Sequence, residues 1–323
     1  MVRRAVLFDG PDRIPRSLPE PWGSDFLRVG VRQDPVWKPS VQGEDEWGCV
    51  WKRVSPDDMT KGQVKVHPID DWAKLDGYRF PTYDLPACYE HIPRQLAGNG
   101  DDKFVLASIP FSLIHRLRYL RGNRQAMLDP YRNRAELRFL LRRMTGIALE
   151  SLERLAPLGI DGIVSADDWG LQDRAFMSPE IFRRYFKGHY ARVYHRAHEH
   201  GMLTFLHSCG HISELLEDFI DAELDVIQMD QQENMGIERL AEEFGGRICF
   251  WCPVDIQNTM VKGSARDVAE YARRLIGCFG VYEGGFIAKW YGGGEVINHS
   301  PEKVAAMAEA FVRYGRYEPK GAI

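Results

Sequence analysis

The run Phe205-Leu206-His207-Ser208-Cys209-Gly210-His211 closes a short apolar segment that begins at Met202, and it leads into an amphipathic segment that begins near Ile212. This is the pattern of a strand passing into a helix, with polar groups gathered at the strand's carboxyl end. In extended chain, residues i and i+2 point to the same side, so His207 and Cys209 can present an imidazole nitrogen and a thiolate sulfur to one ion. Soft sulfur together with imidazole selects zinc among the common biological metals. A further thiol, Cys252, ends a later apolar strand and supplies the third ligand in this reading.

Outward from this unit the same alternation repeats. From residue 103 onward, short apolar runs (Phe104 to Ile109, Gly162 to Ser165, Met202 to Leu206, Val226 to Met229, Ile248 to Trp251, Phe286 to Ala288) alternate with helical segments. Such alternation is the signature of βα units and a parallel sheet. Leu137, Leu140, Leu141, Met144, Ile147 and Ala148 recur at spacings of three and four and build one apolar helix face. Ser178-Pro179-Glu180 and Ser300-Pro301-Glu302 each place a capping serine before a proline at the first helical position. A closed eight-stranded barrel needs two more strands, expected near Arg13 to Leu18 and around residues 26 to 31. Residues 1 to about 100 otherwise read as an irregular lead-in with short strands at Trp47 to Trp51 and Gln63 to Val66. Six strands alone do not close a barrel, and no domain boundary is drawn at the end of the lead-in.

Composition limits the partners. The 323 residues carry a net charge of -4 with acids and bases interspersed, which provides neither the basic stripe of a nucleic-acid binder nor an acidic tail. No stretch reaches the ~20 apolar residues of a membrane span, and the N-terminus does not read as a secretory signal. The six scattered cysteines fit reduced thiols better than a disulfide framework. The expectation is a cytoplasmic, soluble protein that acts on a small molecule, with no nucleic acid and no membrane. Homo-oligomerisation is left open.

In βα barrels the chemistry sits at the carboxyl ends of the strands. Those ends here carry Asp167-Asp168-Trp169-Gly170-Leu171-Gln172, then His207-Ser208-Cys209, Gln228-Met229-Asp230, Trp251-Cys252 and Lys289-Trp290-Tyr291-Gly292-Gly293-Gly294. Adjacent Asp167 and Asp168 point to opposite sides, so one faces the mouth while the other caps a turn or helix. Asp168, just before the Trp-Gly turn, is the one expected to face the mouth. Asp168, Asp167 and Gln172 are the candidate catalytic residues. Asp230 is either an oxygen ligand or a partner that orients the histidine. Trp169, Trp251, Trp290 and Tyr291, with Trp47, are candidates for the aromatic walls of a substrate pocket. Cys249 faces opposite to Cys252 and is expected in the core. His195, His198 and His200 share a helix and read as a solvated face. The three glycines form either a phosphate cradle or a tight turn.

With these residues assembled, the chain resembles the uroporphyrinogen decarboxylase superfamily, and within it the zinc- and corrinoid-dependent methyltransferase-like branch. The resemblance is carried by Asp45-Glu46-Trp47-Gly48, by Asp167 to Gln172, by Ala197-His198-Glu199-His200-Gly201, by His207 to His211 and by Phe250 to Gln257. It implies one (β/α)8 barrel domain over residues 1–323, with 1–100 as an irregular lead-in contributing to the barrel, and a zinc-dependent O-demethylation step of one-carbon metabolism. A methyl group would pass from a small methylated substrate, such as a methoxyarene, to a corrinoid on a partner protein. Transfer from a methylcorrinoid to a thiol, decarboxylation, and ligand binding without turnover are the alternatives. Two departures stand out. Decarboxylases of the superfamily carry an Arg-Gln-Ala-Gly-Arg type loop where this chain has Asp12-Arg13-Ile14-Pro15-Arg16-Ser17. The methyltransferases usually take a second cysteine from the glycine-rich loop after the last strand, where this chain has Tyr291-Gly292-Gly293-Gly294-Glu295 without a thiol, so that either Cys252 takes over as third ligand or the metal is lost.

Overall fold

In a computed structural model, which describes residues 1–53, 62–132, 134–292 and 297–317, the apolar runs become the staves of a barrel. The strands are β1 (Arg16–Ser17), β2 (Phe26–Gly30), β3 (Val50–Lys52), β4 (Gln63–Val66), β5 (Phe104–Ser108), β6 (Gly162–Ala166), β7 (Leu203–His207), β8 (Val226–Gln228), β9 (Cys249–Cys252) and β10 (Phe286–Lys289). Eight of them form one sheet in the order β1-β10-β9-β8-β7-β6-β5-β2, with every ladder parallel. The two strands expected from the lead-in are therefore β1 and β2. They complete the barrel without a ladder between them. A bridge joins Ser17 to Ser24, the Asp25 N–H donates to the Arg16 carbonyl at 2.9 Å, and the Arg13 guanidinium grips the Asp25 carboxylate with two bonds of 2.8 and 2.6 Å. The result is a (β/α)8 barrel.

Alternation along each strand divides the buried side chains into two sets. Phe26, Phe104, Leu106, Leu203, Phe205, Val226, Cys249, Trp251 and Ile287 face inward and fill the barrel. Phe26 stacks on Trp251 with ring centroids 5.0 Å apart and meets Phe205 edge-on at 6.3 Å, contacts between strands that are not neighbours in the sheet. Val2 and Val6 of the short helix Val2–Val6 pack against this plug from below. The outward-facing residues pack on the helices. Helix Arg134–Leu155 buries Leu137, Leu140, Leu141, Met144, Ile147 and Ala148, each worth roughly 1–3 kcal/mol of apolar transfer for the larger side chains. Ser178 caps the helix that starts at Pro179, and Ser300 caps Pro301–Tyr314, each accepting from a backbone N–H three residues on.

The lead-in folds over one side of the barrel. β3 and β4 form an antiparallel pair, and Asp45 ties the turn before them together. It accepts from the N–H groups of Trp47 and Cys49 at 3.0 and 2.9 Å, from the Trp51 indole at 2.9 Å and from Arg116 at 3.2 Å. Arg116 belongs to helix Ile114–Arg121, which follows β5. The Asp45-Glu46-Trp47-Gly48 motif thus serves to seat this helix. Trp47 is buried, with its indole on the Tyr83 hydroxyl at 3.2 Å, so it is a core residue and not a pocket wall. No helix among the described residues is long and apolar enough to cross a membrane.

Candidate metal centre

The loops leaving β6 and β7 are joined backbone to backbone. The Gly170 N–H donates to the Cys209 carbonyl at 3.0 Å, the His211 N–H to the Leu171 carbonyl at 2.7 Å, and the Trp169 N–H to the Ser208 hydroxyl at 3.0 Å. Gly170 and Gly210 lie against each other where the loops cross, and a Cβ on either would collide with the other's backbone. Gly210 also has φ +80°, a conformation that glycine adopts without steric cost. The glycine of the opening motif is therefore needed for close approach, and it brings Asp168 alongside His207 and Cys209.

These three side chains form the one group of three or more His, Cys, Asp or Glu donors among the described residues whose ligand atoms all lie within 4.8 Å of one another. His207 Nε2 is 3.3 Å from Cys209 Sγ and 3.5 Å from Asp168 Oδ1. Ligands held at 2.0–2.3 Å around a tetrahedral zinc stand about 3.3–3.8 Å apart, so the donor set fits the ion. Nothing needs to move far.

The surroundings aim the donors. Gln228 Oε1 accepts from the His207 Nδ1 side of the ring, while Gln228 Nε2 donates to Asp230 Oδ1 at 2.8 Å and Lys289 Nζ donates to the same oxygen at 2.5 Å. This chain fixes the orientation of the Gln228 amide, which places the proton on His207 Nδ1 and leaves the Nε2 lone pair for a metal. Asp230 is thus two hydrogen bonds behind the histidine. On the other side, His115 Nε2 lies 3.1 Å from Asp168 Oδ2, and the Cys209 N–H donates to Asp168 Oδ1 at 2.9 Å. Burial opposes ionisation of Asp168, but the hydrogen bond and charge of His115, the proximity of His207 and the Cys209 N–H outweigh it and hold the carboxyl at about 2. His115 is raised in turn, because Asp168 and Asp167 overcome the effect of its burial. The Cys209 thiol is pushed up by burial and by the neighbouring Asp168 and Asp230 carboxylates.

That last shift has a consequence for loading. A thiol held protonated must lose its proton to a binding cation, so affinity should rise with pH, by about tenfold per unit while one proton is released. Titration with zinc in buffers of different ionisation enthalpy measures the proton directly. Gln228→Ala, which frees the imidazole, should weaken binding by about 10–100-fold. Unchanged affinity would show that Gln228 does not set the ring.

Several sequence expectations meet different geometry. Cys252, expected as third ligand, is fully buried on the outer side of β9 with Phe250 and Val254, and it is not in the donor cluster; Asp168 stands there instead. Cys249 is buried as expected, inside the barrel. Asp167 is fully buried and faces outward. It accepts from the backbone N–H groups of Leu113, Ile114 and His115 at 2.6, 2.9 and 2.8 Å, from Ser112 at 3.0 Å and from Tyr190 at 2.5 Å. It caps helix Ile114–Arg121 and has no free oxygen for chemistry. Gln172 is exposed and accepts from Asn234 at 3.2 Å, away from the donors. Trp169 is fully buried, its indole on the Tyr190 hydroxyl at 2.8 Å and its ring edge-on to Phe182 and Phe186.

Trp251 forms part of the barrel plug. Trp290 is half-buried against the outer core, and Tyr291 lies near the cluster, with Lys289 Nζ 5.4 Å from its ring centre and its hydroxyl raised by burial and by Asp230, Cys209 and Asp168. His195 and His198 pair with Glu223 and Asp225, and His200 with Glu153, away from the mouth. Gly293 and Gly294 of the expected cradle lie outside the described residues. The sequence reading did not find His115, and it placed Gln228 and Lys289 at strand ends without giving either a role. His115 follows the end of β5 by a few residues, and a listing of strand ends that included β5 would have reached it.

A (β/α)8 barrel with a thiol, an imidazole and a carboxylate converging at the carboxyl ends of its strands defines the class. The family model described as uroporphyrinogen decarboxylase matches residues 61–314, and the chain belongs to that family. Among solved structures, a methyltransferase from Methanosarcina mazei is similar over 97% of each chain with TM-score 0.67 and 18% identity, a likeness of fold. D-psicose 3-epimerase from Clostridium cellulolyticum H10 is similar over 75% of this chain and 86% of its own at TM-score 0.43 and 12% identity. Compared by sequence with proteins of curated function, the chain has no significant match.

Proposed function

We propose that the protein is a zinc-dependent methyltransferase that moves a methyl group from a small methylated substrate, a methyl ether such as a methoxyarene, to the corrinoid of a partner protein. The observation that carries this reading is the convergence of His207, Cys209 and Asp168 at the strand ends of a barrel of this family. Three protein donors leave a tetrahedral ion one open position for substrate. Zinc held there would supply Lewis acidity to the substrate oxygen, stabilising charge that develops as the carbon–oxygen bond breaks.

The chain's own groups would do the rest. Gln228 keeps the Nδ1 proton of His207 in place, and Lys289 offsets the charge of Asp230 behind it. His115 holds Asp168 by Oδ2, so that Oδ1 remains toward the other donors. Tyr291 flanks the centre and could bound the substrate. The partner corrinoid protein would approach over the mouth, since the opposite end of the barrel is filled by the Phe26, Phe104, Phe205 and Trp251 plug. Excluding water at that docked surface would favour transfer over hydrolysis.

Zinc-loaded protein mixed with a cobalt(I) corrinoid protein and methoxyarenes should form methyl-cobalt, followed by its absorbance. Formation should depend on His207 and Cys209. Methyl transfer without any corrinoid, or none with any methylated donor, would sink the reading. Running the assay from methyl-cobalt with thiols tests the reverse direction. The decarboxylase alternative, which lacks its arginine loop here, is tested by carbon dioxide release.

A further inference from the structure

Arg28 lies at an inward-facing position of β2, between Phe26 below and Gly30 above, and is nevertheless exposed. The lower end of the barrel is filled by the aromatic plug and by Val2 and Val6, so the water that reaches this side chain comes from the mouth. Its guanidinium sits 4.8 Å from the ring centre of Trp251 and 5.9 Å from that of Phe26. Among the described residues it has no hydrogen-bond acceptor and no carboxylate partner. Other internal guanidiniums of this chain are matched, Arg13 by Asp25 and Arg121 by Asp129. Arg28 sits over aromatic carbon alone. A second donor beside it is also unsatisfied. The indole Nε1–H of Trp251, in a residue 1% exposed, has no acceptor. A buried N–H left without a partner is unfavourable, and a ligand oxygen placed beside it would satisfy it.

Register links this pair to the donor cluster. Trp251 is opposite Gln228, and Gln228 is opposite His207, so two strand spacings, about 10 Å of backbone, separate the floor under Arg28 from the histidine. We infer that the substrate of this centre is an anion, a methylated compound with a carboxylate that pairs with Arg28 above Trp251 while its methyl-bearing end reaches toward His207, Cys209 and Asp168. The planar fork of a guanidinium matches a carboxylate with two parallel bonds, and the aromatic floor suits one flat ring between the two ends.

This inference rests on the proposed methyltransferase reading for the second half of the substrate, so its test uses binding. Benzoate and its neutral analogue benzamide are titrated into the full chain, with zinc and after chelation, by calorimetry and tryptophan fluorescence. Benzoate should bind at least about tenfold more tightly than benzamide, with or without zinc, and Arg28→Met should remove that preference while Arg28→Lys keeps part of it. Equal binding of the two probes to the wild-type chain, or benzoate binding that vanishes with zinc, would overturn the inference without any variant. Arg28→Met with the wild-type preference for benzoate would do the same. If 4-methoxybenzoate binds through Arg28 yet yields no methyl-cobalt, the methyltransferase reading fails alone. If anisole is demethylated as well as 4-methoxybenzoate in both the wild type and Arg28→Met, the anion site fails alone.

Discussion

Zinc content of about one per chain should fall to background in Cys209→Ser and His207→Ala and stay near one in Cys252→Ser. The first two substitutions each remove one of three donors whose mutual distances of 3.3 and 3.5 Å already match a tetrahedral ion. The third alters a sulfur that faces the helix layer, where it is fully buried. Elemental analysis after dialysis against a weak chelator decides among them. Zinc lost from Cys252→Ser in a folded protein would restore the thiol as ligand and displace Asp168 from the set. Asp168→Asn should keep the fold and lower both zinc affinity and turnover, because an amide oxygen is a weaker donor than a carboxylate and His115 loses its anionic partner. Unchanged kinetics would remove Asp168 from the centre.

Asp167→Ala should destabilise the chain by about 3–5 kcal/mol, because three buried backbone N–H groups lose their acceptor at roughly 1–3 kcal/mol for each one left unsatisfied. Its neighbour should not. Asp167 satisfies three backbone N–H groups at the start of helix Ile114–Arg121, two hydroxyls among its partners being Ser112 and Tyr190. Without it those donors are stranded in the core, and the helix that carries His115 loses its anchor. Urea unfolding should show the midpoint move down with the slope retained, and Asp168→Asn should move it much less. Two adjacent aspartates would then be separated cleanly into one that holds the fold and one that serves the centre. A midpoint for Asp167→Ala near the wild-type value would show that the helix start finds other partners.

Most of the strands and the pair at the heart of the site were legible in the chain's own pattern, while closure into a barrel came from the family resemblance. The βα alternation placed all six strands from β5 to β10 and left two to be found in the lead-in, where β1 and β2 lie. His207 and Cys209 were legible because i and i+2 parity holds within any one strand, whatever surrounds it. Asp167 and Asp168 were told apart by the same rule, and carried one residue further it would have turned Trp169 outward as well. What the sequence could not decide was the absolute parity of a strand buried on both faces. Cys249-Phe250-Trp251-Cys252 is apolar throughout, as parallel barrel strands are, and only its contacts show that Cys249 and Trp251 face in while Cys252 faces the helices. Tertiary structure alone brought His115 from the end of β5 and Gln228 from β8 to their places beside the donors. It also left Arg28 inside the barrel without a carboxylate. Such meetings depend on how the sheet closes, since closure sets which strand ends stand next to one another, and that is a property of all eight strands together.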